Sequence, residues 1–386
     1  MTDIHRERAM RGLLLLVGAI VFVDTMFFAA LTPLLPTYKE ELGLSKSEAG
    51  VLASSYAAGA LFGALPGGIA AARLGVRPVV LAGLAGMGIT TLTFGIADAF
   101  WLLLVARFLQ GLSSAFSWTA SFSWLAAGAP PGRRGELLGA AVGAAIFGAL
   151  FGPVLGGIAA ETSPELAFGS VAVLAIILGV WAWRTPAYSP GEPQPLRMLV
   201  DALRHSGVVR AAWFVALPAL LFGVLGVLAP LRLDELGLGS LAIGAVFLIA
   251  AGLESVASPL IGRVSDRRGR MAPLRAGLLA SALVAATLPW LDTAWLLAPF
   301  VVVAGLAFGT FWAPAMALLA DSAEAVGLEY AYGFALVNIA WAPGAFSGAA
   351  VGGAVADATA DAVPYLALSA ACLLTLVRMS RARRTE

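Results

Sequence analysis

The sequence is short of charge, cysteine and histidine. Only 12% of its 386 residues are charged, whereas about 25% is usual in a soluble protein. The single cysteine, Cys372, excludes an internal disulfide bond and a thiolate cluster for a metal. The two histidines, His5 and His205, lie outside the apolar segments. Histidine metal chemistry and a serine–histidine–aspartate catalytic set are therefore not expected.

Two further absences narrow the function. The chain has no G-x-x-x-x-G-K-S/T phosphate loop, so ATP is not expected as its energy source. The net charge is only +1 and no nucleic-acid motif occurs, which argues against a nucleic-acid partner. We therefore expect neither an enzyme nor a bound cofactor.

Apolar residues dominate the chain: 60% are hydrophobic and the mean hydropathy is +0.89. Because polar groups cannot cover such a surface, much of it must face lipid, and a helix crosses the bilayer with roughly 20 apolar residues. The sequence therefore predicts an all-α membrane protein with twelve spans. They cover 12–35, 47–71, 78–98, 100–126, 136–159, 166–184, 209–231, 240–262, 273–291, 293–319, 328–355 and 361–378.

Basic residues predict the orientation. With both termini in the cytoplasm, only Lys39, Lys46 and Arg232 lie in outside loops and Arg107 lies within a span, which agrees with the positive-inside rule. The basic start imitates a signal peptide, but the apolar stretch after it is too long and contains Asp24. We expect a multi-pass protein of the cell inner membrane.

The two halves of the chain are copies of each other. A shift of 194 residues aligns EELGL at 40–44 with DELGL at 234–238, and a shift of 196 aligns a later pair of glycines. The pairs that coincide include Gly68 with Gly262, Arg73 with Arg267, Gly75 with Gly269, Trp118 with Trp312, Gly156 with Gly352 and Gly157 with Gly353. This duplication predicts two pseudo-symmetric six-helix bundles with a substrate site between them near the midplane.

The bundles are expected at 1–184 and 209–386, joined by a cytoplasmic linker at 185–208. The linker is rich in proline and polar residues. Its stretch LRMLVDALRH fits either a short helix on the membrane surface or a solvated tether.

The loop GRVSDRRGRM, at 262–271, resembles the signature loop of the major facilitator superfamily, G-x-x-x-D-R-x-G-R. Gly262 opens it, Gly269 permits a tight turn, and Arg267 holds the loop on the cytoplasmic side. Asp266 is expected to accept from a helix N-terminus or to pair with an arginine. The resemblance implies the twelve-helix fold of that family and a gating role for this loop.

The first-half copy of this loop is GIAAARLGVR, at 68–77. It keeps Gly68, Arg73 and Gly75, but Ala72 stands where the family carries its aspartate.

RFLQG, at 107–111, resembles the second motif of the superfamily, R-x-x-Q-G. A guanidinium within a span costs roughly 2.5 kcal/mol or more unless it is paired or solvated. The resemblance implies that Arg107 takes part in proton coupling; the alternative is an arginine that reaches back to the outer interface.

The fifth span fits G-x8-G-x3-G-P-x2-G-G, which resembles the motif of the drug–proton antiporter branch of the superfamily. Its fixed positions are Gly139, Gly148, Gly152, Pro153, Gly156 and Gly157. Gly148, Gly152 and Gly156 repeat every four residues and form a smooth stripe, so that another helix can approach closely. Pro153 bends the helix. The resemblance implies a conformational role; the alternative is close packing alone.

Asp24, Arg107 and Glu254 are the ionisable side chains well inside the spans, and such residues are functional candidates. Asp24 lies about 18 Å into its helix, near the midplane, where a carboxyl can bind and release protons. Its surroundings, D-x-M followed by P-x-x-P, resemble the first helix of vesicular amine transporters and bacterial multidrug antiporters. The alternative is a structural aspartate.

Glu254 lies eight residues, or about 12 Å, before Gly262, and its repeat partner is Ala60. It fits a second protonation site, a gate partner, or a static pairing with a neighbouring helix.

The resemblance implies a substrate cavity lined mainly by spans 1, 4, 7 and 10. Beside Asp24, the candidate lining residues are Phe27, Phe28, Tyr56, Phe116, Trp118, Trp312, Asn338 and Trp341. Aromatic rings around one carboxylate suit a lipophilic cation, although aromatics also pack against lipid or core.

Together these features predict a secondary transporter that works by alternating access. The favoured interpretation is proton-coupled efflux, by antiport, of a small lipophilic or cationic compound, as in multidrug efflux, by a monomer in the lipid bilayer. A metabolite uniporter or proton symporter of the same fold is the alternative, and a non-transporting membrane sensor is a remote one.

Overall fold

The computed structural model describes residues 3–130, 133–187, 195–328 and 330–382, and helices are the regular elements of these ranges. In chain order they are α1 Asp3–Leu42, α2 Lys46–Leu74, α3 Val76–Gly95, α4 Phe100–Gly128, α5 Arg134–Glu161, α6 Pro164–Arg184, α7 Leu196–Ala202, α8 Ser206–Glu235, α9 Ser240–Arg268, α10 Met271–Thr287, α11 Ala294–Gly309, α12 Trp312–Ala325, α13 Tyr330–Ala358 and α14 Ala362–Ala382. The predicted all-α fold is confirmed.

Within the described ranges, twelve segments are long and apolar enough to cross a membrane, as predicted. Several helices extend beyond the predicted spans; α1, for example, runs over Asp3–Leu42 rather than 12–35. Hydropathy detects only the part of a helix that suits lipid, whereas charged residues at its ends still adopt helical geometry. In the linker, the short helix α7 begins after residues 188–194, which lie outside the described part of the chain.

The tenth predicted span, 293–319, is not one continuous helix. α11 ends at Gly309 and α12 begins at Trp312. The helical hydrogen bonds are interrupted at Thr310 and Phe311, although both residues keep right-handed helical dihedral angles, and Pro314 has no N–H to donate to the carbonyl of Thr310. The ninth span likewise ends in a 3-10 turn, Leu288–Trp290, which contains a proline. Discontinuous helices inside a membrane are tolerated where they are enclosed by protein or line a cavity.

The chain forms two compact units, described here separately. The first contains Met1–Leu31, Ser55–Asp201 and Leu328–Ile339, and the second contains Thr32–Ser54, Ala202–Gly327 and Ala340–Glu386. The end of α1 and the start of α2 therefore belong to the second unit. The division predicted from the sequence, at residues 184 and 209, stays a prediction.

Each unit has its own core. In the first, α3 packs on α4 and α6. Phe94 of α3 and Phe168 of α6 are in edge contact with ring centroids 5.3 Å apart, and Phe27 of α1 joins them at 5.0 Å from Phe168. In the second, α8 packs on α11 and α12, and α10 packs on α14.

Glycines bring the helix backbones into direct contact at equivalent places in the two repeats. A methyl group on Gly148 of α5 would collide with the carbonyl of Phe22 in α1, and one on Gly344 of α13 would collide with the carbonyl of Ala216 in α8. One turn further along, Gly152 and Gly348 make the corresponding contacts with Met26 and Leu220. In each repeat, glycine thus allows one pair of helices to pack backbone against backbone.

Glycine also makes the turns of both signature loops. Gly75, between α2 and α3, has φ 89°, and Gly269, between α9 and α10, has φ 82°. These left-handed conformations are strained for residues with a Cβ, so the chain reverses within one or two residues only because glycine stands there.

We expect Gly152→Ala to destabilise the protein by about 1–3 kcal/mol, because the added methyl group meets the Cβ of Ala29 at 2.5 Å and the carbonyl of Met26 at 2.6 Å. Gly139→Ala in the same helix is the matched control, since no atom lies within 4 Å of its added methyl group. Thermal unfolding in detergent measures both. Equal melting temperatures for the two variants would contradict the proposed close packing.

Candidate functional site

Asp24 is fully buried in α1, and three donors converge on one of its oxygens. The Oδ2 atom accepts from the hydroxyl of Tyr56 at 3.0 Å, the hydroxyl of Ser114 at 2.6 Å and the indole N–H of Trp118 at 2.8 Å. Tyr56 belongs to α2, and the other two donors belong to α4. The carboxyl group therefore joins three helices of the first unit.

The second oxygen of Asp24, Oδ1, is buried and has no hydrogen-bond partner among the described residues. A buried carboxylate oxygen without a partner costs free energy, which a proton or a cation at that atom would offset. The two oxygens thus differ in their contacts: Oδ2 accepts three hydrogen bonds, and Oδ1 accepts none from the described residues.

Arg107 is buried in α4, with 1% of its surface exposed, so it does not reach back to an interface. Its guanidinium donates to the carbonyl of Phe27 at 3.3 Å, to the carbonyl of Phe28, and to Oε1 of Gln110 at 2.7 Å. Four rings surround the guanidinium carbon at 5.2–6.0 Å, those of Phe27, Phe28, Tyr56 and Phe94. Carbonyl dipoles and ring faces thus compensate the buried charge.

The spacing R-x-x-Q-G follows from these contacts. Gln110 lies one turn beyond Arg107 and accepts from it. Gly111 faces α2, where a methyl group would collide with the carbonyl of Tyr56. Ser114 and Trp118 lie one and two turns further on the same side of α4. The motif therefore fixes α4 against α1 and α2 at the level where Asp24 needs its donors.

The glycine-rich helix α5 contacts α1 on both sides of Asp24. The hydroxyl of Thr25 donates to the carbonyl of Ala145 at 2.7 Å, and Gly148 packs on Phe22. Gly152, Pro153, Gly156 and Gly157 are all buried. A displacement of α5 would therefore move the segment of α1 that carries Asp24.

The second repeat does not reproduce this polar cluster. Five members of the first-repeat cluster, Asp24, Tyr56, Arg107, Gln110 and Ser114, correspond to Pro218, Ala250, Val301, Ala304 and Phe308. Only the tryptophan position is shared, as Trp118 and Trp312. Trp312 begins α12 and stacks on Phe222, with centroids 6.2 Å apart and planes inclined by 15°.

Glu254 lies in the second unit and does not belong to the Asp24 cluster. It is half-buried and has no ion pair or hydrogen bond with another described residue. Its side chain lies at the end of α11, where a methyl group on Gly309 would approach its Cδ at 2.5 Å and its Oε1 at 2.6 Å. The first repeat has Ala60 and Ala115 at these two positions. Glu254 is thus accommodated by a glycine beside the break between α11 and α12.

The remaining cavity candidates lie in different settings. Phe28 packs on Tyr56 with ring centroids 4.6 Å apart, and Trp118 stacks on Phe122 at 5.3 Å. Three further candidates are half-buried: Phe116, Asn338 and Trp341. The structure therefore brings Asp24, Phe28, Tyr56 and Trp118 together in the first unit.

In the second-half signature loop, Asp266 accepts from Arg270 at 2.6 Å, and Arg270 also contacts Asp321 of α12 at 3.2 Å. A methyl group on Gly262 would lie 4.0 Å from the Cβ of Ala313, and Arg267 is exposed.

In the first-half loop, Arg73 is exposed, and a methyl group on Gly68 would lie 3.6 Å from Cγ2 of Thr119. Arg77 donates to the carbonyl of Thr185 instead of to an aspartate. The two loops are thus anchored differently.

Sequence reasoning missed an ionic group that we call the lysine cluster: Lys39, Lys46, Glu235 and Asp361. Lys46 contacts both oxygens of Asp361, at 2.7 and 2.9 Å, and Glu235 at 3.8 Å, while Lys39 lies 3.5 Å from Glu235. The cluster lies within the second unit but joins residues of both repeats. The sequence offers one indication of this cluster: the chain has only two lysines, and both belong to it.

The backbones beside the lysine cluster are in close contact. A methyl group on Gly50 of α2 would collide with the carbonyl of Ala349 in α13, and one on Gly353 would lie 2.6 Å from the carbonyl of Lys46. The ion pairs thus connect helices that already touch.

No group of three histidine, cysteine, aspartate or glutamate side chains that could hold a metal ion occurs within the described ranges. The twelve candidate spans within the described residues, the sequence repeat, and the buried charged groups of Asp24 and Arg107 together indicate the class of membrane transporters.

Comparison with known proteins agrees with this class. The MFS-type transporter ppzB of Metarhizium rileyi is 32% identical over 124 residues, a match that spans 31% of this chain and 26% of the relative. The MFS-type transporter YceJ of Bacillus subtilis is 27% identical over 287 residues, 72% of this chain and 73% of the relative. A crystal structure of the nucleoside transporter NupG superposes with a TM-score of 0.77 at 14% identity, over 96% of this chain and 99% of that one.

The model of the Major Facilitator Superfamily matches residues 17–348. The chain belongs to this family, and it is a transporter rather than an enzyme.

We expect Gly309→Ala to destabilise the protein by about 1–3 kcal/mol, because the new methyl group meets the side chain of Glu254. The same change should cost much less in a Glu254→Ala background, since the first repeat carries Ala60 and Ala115 at these positions. Thermal unfolding of the two single variants and the double variant measures this coupling. If the destabilisation of the double variant equals the sum of the two single effects, the methyl group at position 309 and the Glu254 side chain do not compete for space.

Proposed function

We propose that this transporter exports a small lipophilic or cationic compound in exchange for protons, as a monomer in the cell membrane with both termini in the cytoplasm. The observation that carries the proposal is the buried carboxyl group of Asp24, whose Oδ2 accepts from three donors while Oδ1 has no partner among the described residues. The glycine–proline motif of α5, which resembles that of drug–proton antiporters, supports the same proposal.

A proton and a cationic substrate would compete for Asp24. Three donors on Oδ2 stabilise the carboxylate form, and Oδ1, which has no partner among the described residues, is the atom at which a proton adds or a cation pairs. Aromatic side chains adjoin this carboxylate: Tyr56 and Trp118 donate to it, and Phe28 packs on Tyr56. Binding of one ligand would therefore favour release of the other, which is the requirement for antiport.

Alternating access requires contacts that hold one conformation and can be broken. In the proposed orientation the lysine cluster lies at the outer ends of the helices, where it holds the end of α1 and the start of α2 to the end of α8 and to Asp361, the residue before α14. Its ion pairs are partly exposed, with 22–33% of each side chain accessible, so water can replace them at modest cost. We assign to it the role of an outer gate.

The same carboxyl group fits a second mechanism, proton symport. In that case protonation of Asp24 and binding of a neutral or anionic substrate would occur together rather than exclude each other. The direction of proton movement separates the two mechanisms, and a uniporter would move no protons.

We expect a lipophilic cation to trigger proton flux in proteoliposomes that enclose a pH-sensitive dye, opposite in direction to the cation, and Asp24→Asn to abolish it. Asn keeps the size of the side chain but cannot exchange the proton. Glu254→Gln is measured beside it, because Glu254 lies outside the Asp24 cluster and is the second candidate for a protonation site. Proton movement in the same direction as the substrate would indicate symport, and substrate movement without protons in all three proteins would overturn proton coupling.

We expect Lys46→Gln to open the outer gate more often, because it removes the contacts with Asp361 and Glu235. A cysteine at Ser240, which lies 3.2 Å from Thr37, in a Cys372→Ala background should then react severalfold faster with a membrane-impermeant maleimide. Lys39→Gln, which removes a single contact at 3.5 Å, should have a smaller effect. Unchanged labelling in Lys46→Gln would refute the gating role.

A further inference from the structure

A cleft of about 860 Å³ opens between α8, α10 and α14 in the second unit. Four arginines line it: Arg210 of α8, Arg268 at the end of α9, Arg275 of α10 and Arg378 of α14. All four lie near the ends at which α8 begins and α14 finishes, so they concentrate positive charge at one level of the unit.

None of these arginines has an ion pair or a side-chain hydrogen bond with another described residue. The Nε atom of Arg275 is buried and without a hydrogen-bond partner in the same part of the chain. The nearby Arg270, by contrast, is neutralised by Asp266 and Asp321. The cleft therefore carries positive charge that the described protein does not balance, and its chemistry calls for an anion.

The rest of the cleft is largely apolar. Trp213 lies in its wall and donates from its indole N–H to the hydroxyl of Thr375 at 3.2 Å. Phe214, Leu374 and Met379 line the same cleft. A tryptophan between charged and apolar surroundings is typical of the membrane–water interface. A ligand that fits both parts has an anionic head and a hydrocarbon chain.

The first repeat shows that this charge is not a general feature of the fold. Its corresponding groove lies between α3 and α6 and is lined by Leu81, Ile89, Val180 and other apolar residues. Leu74 and Leu81 stand at the positions of Arg268 and Arg275, and only Arg184 matches an arginine, Arg378. A mere excess of basic residues on one side of the membrane would not distinguish the two repeats in this way.

We propose that this cleft binds an anionic phospholipid, with the phosphodiester held by Arg275 and Arg378 and an acyl chain along Trp213 and Leu374. One guanidinium group can donate two parallel hydrogen bonds to two phosphate oxygens. Basic pockets between membrane helices bind anionic lipid headgroups. The lipid comes from the leaflet beside the start of α8 and the end of α14. The site is independent of proton exchange at Asp24.

Quenching of Trp213 fluorescence by brominated lipids tests the site. The full chain is reconstituted in phosphatidylcholine vesicles that contain either brominated phosphatidylglycerol or brominated phosphatidylcholine, and Trp213→Phe identifies the signal of that residue. We expect the anionic lipid to quench Trp213 in preference to the zwitterionic one. Arg275→Gln should lower this preference about fivefold, as expected for one arginine near a membrane surface.

Arg184→Gln is the matched control, because Arg184 is the counterpart of Arg378 in the first repeat, and it should leave the preference unchanged. Arg275→Lys, which keeps the charge, should retain most of it. Arg378→Gln, at an exposed position, repeats the test if Arg275→Gln does not fold. Equal quenching by both lipids in the unmodified protein, or an unchanged preference in the Gln variants, would overturn the proposal. Loss of the preference in excess inorganic phosphate, but not in sulfate of the same ionic strength, would identify a free-anion site instead.

Discussion

Direct backbone contact between helices is the constraint on which the rest of this structure depends. Between helices in a bilayer the hydrophobic effect supplies little attraction, so the approach distance is set by small residues. Gly111 lets α4 touch α2 at Tyr56, and Gly148 lets α5 touch α1 at Phe22. Only at these distances can short side chains such as Ser114 and Asp24 reach each other across helices. The polar site is therefore a product of glycine packing.

The two repeats share one backbone arrangement, but substitutions have given them different polar and charged side chains. The first repeat buries a connected polar cluster around Asp24 and Arg107, where the second repeat has apolar side chains. The second repeat instead holds Glu254 against Gly309 and gathers arginines around Arg275. Equivalent glycine contacts in both copies keep the helix pairs alike, so side-chain chemistry could diverge without loss of the shared framework.

The sequence was sufficient for the spans and for the tight turns at Gly75 and Gly269, because lipid demands long apolar helices and a left-handed turn favours glycine. It also singled out Asp24 and Arg107, since charge inside a span stands out. It did not reveal that Ser114 and Tyr56 converge on the same oxygen as Trp118, because this depends on how each helix is rotated about its axis. Nor did hydropathy register the interruption after Gly309, since the apolar stretch continues across it.

The lysine cluster has a practical consequence for chemistry on the intact protein. Apart from the terminal amine, the primary amines of the chain are those of Lys39 and Lys46. The remaining basic side chains are guanidinium groups and imidazoles, which acylating reagents modify far less readily. An amine-selective fluorophore or cross-linker would therefore attach at this cluster and at the terminal amine, without any engineered residue. Lys39 and Lys46 can thus serve as labelling positions in the unmodified sequence.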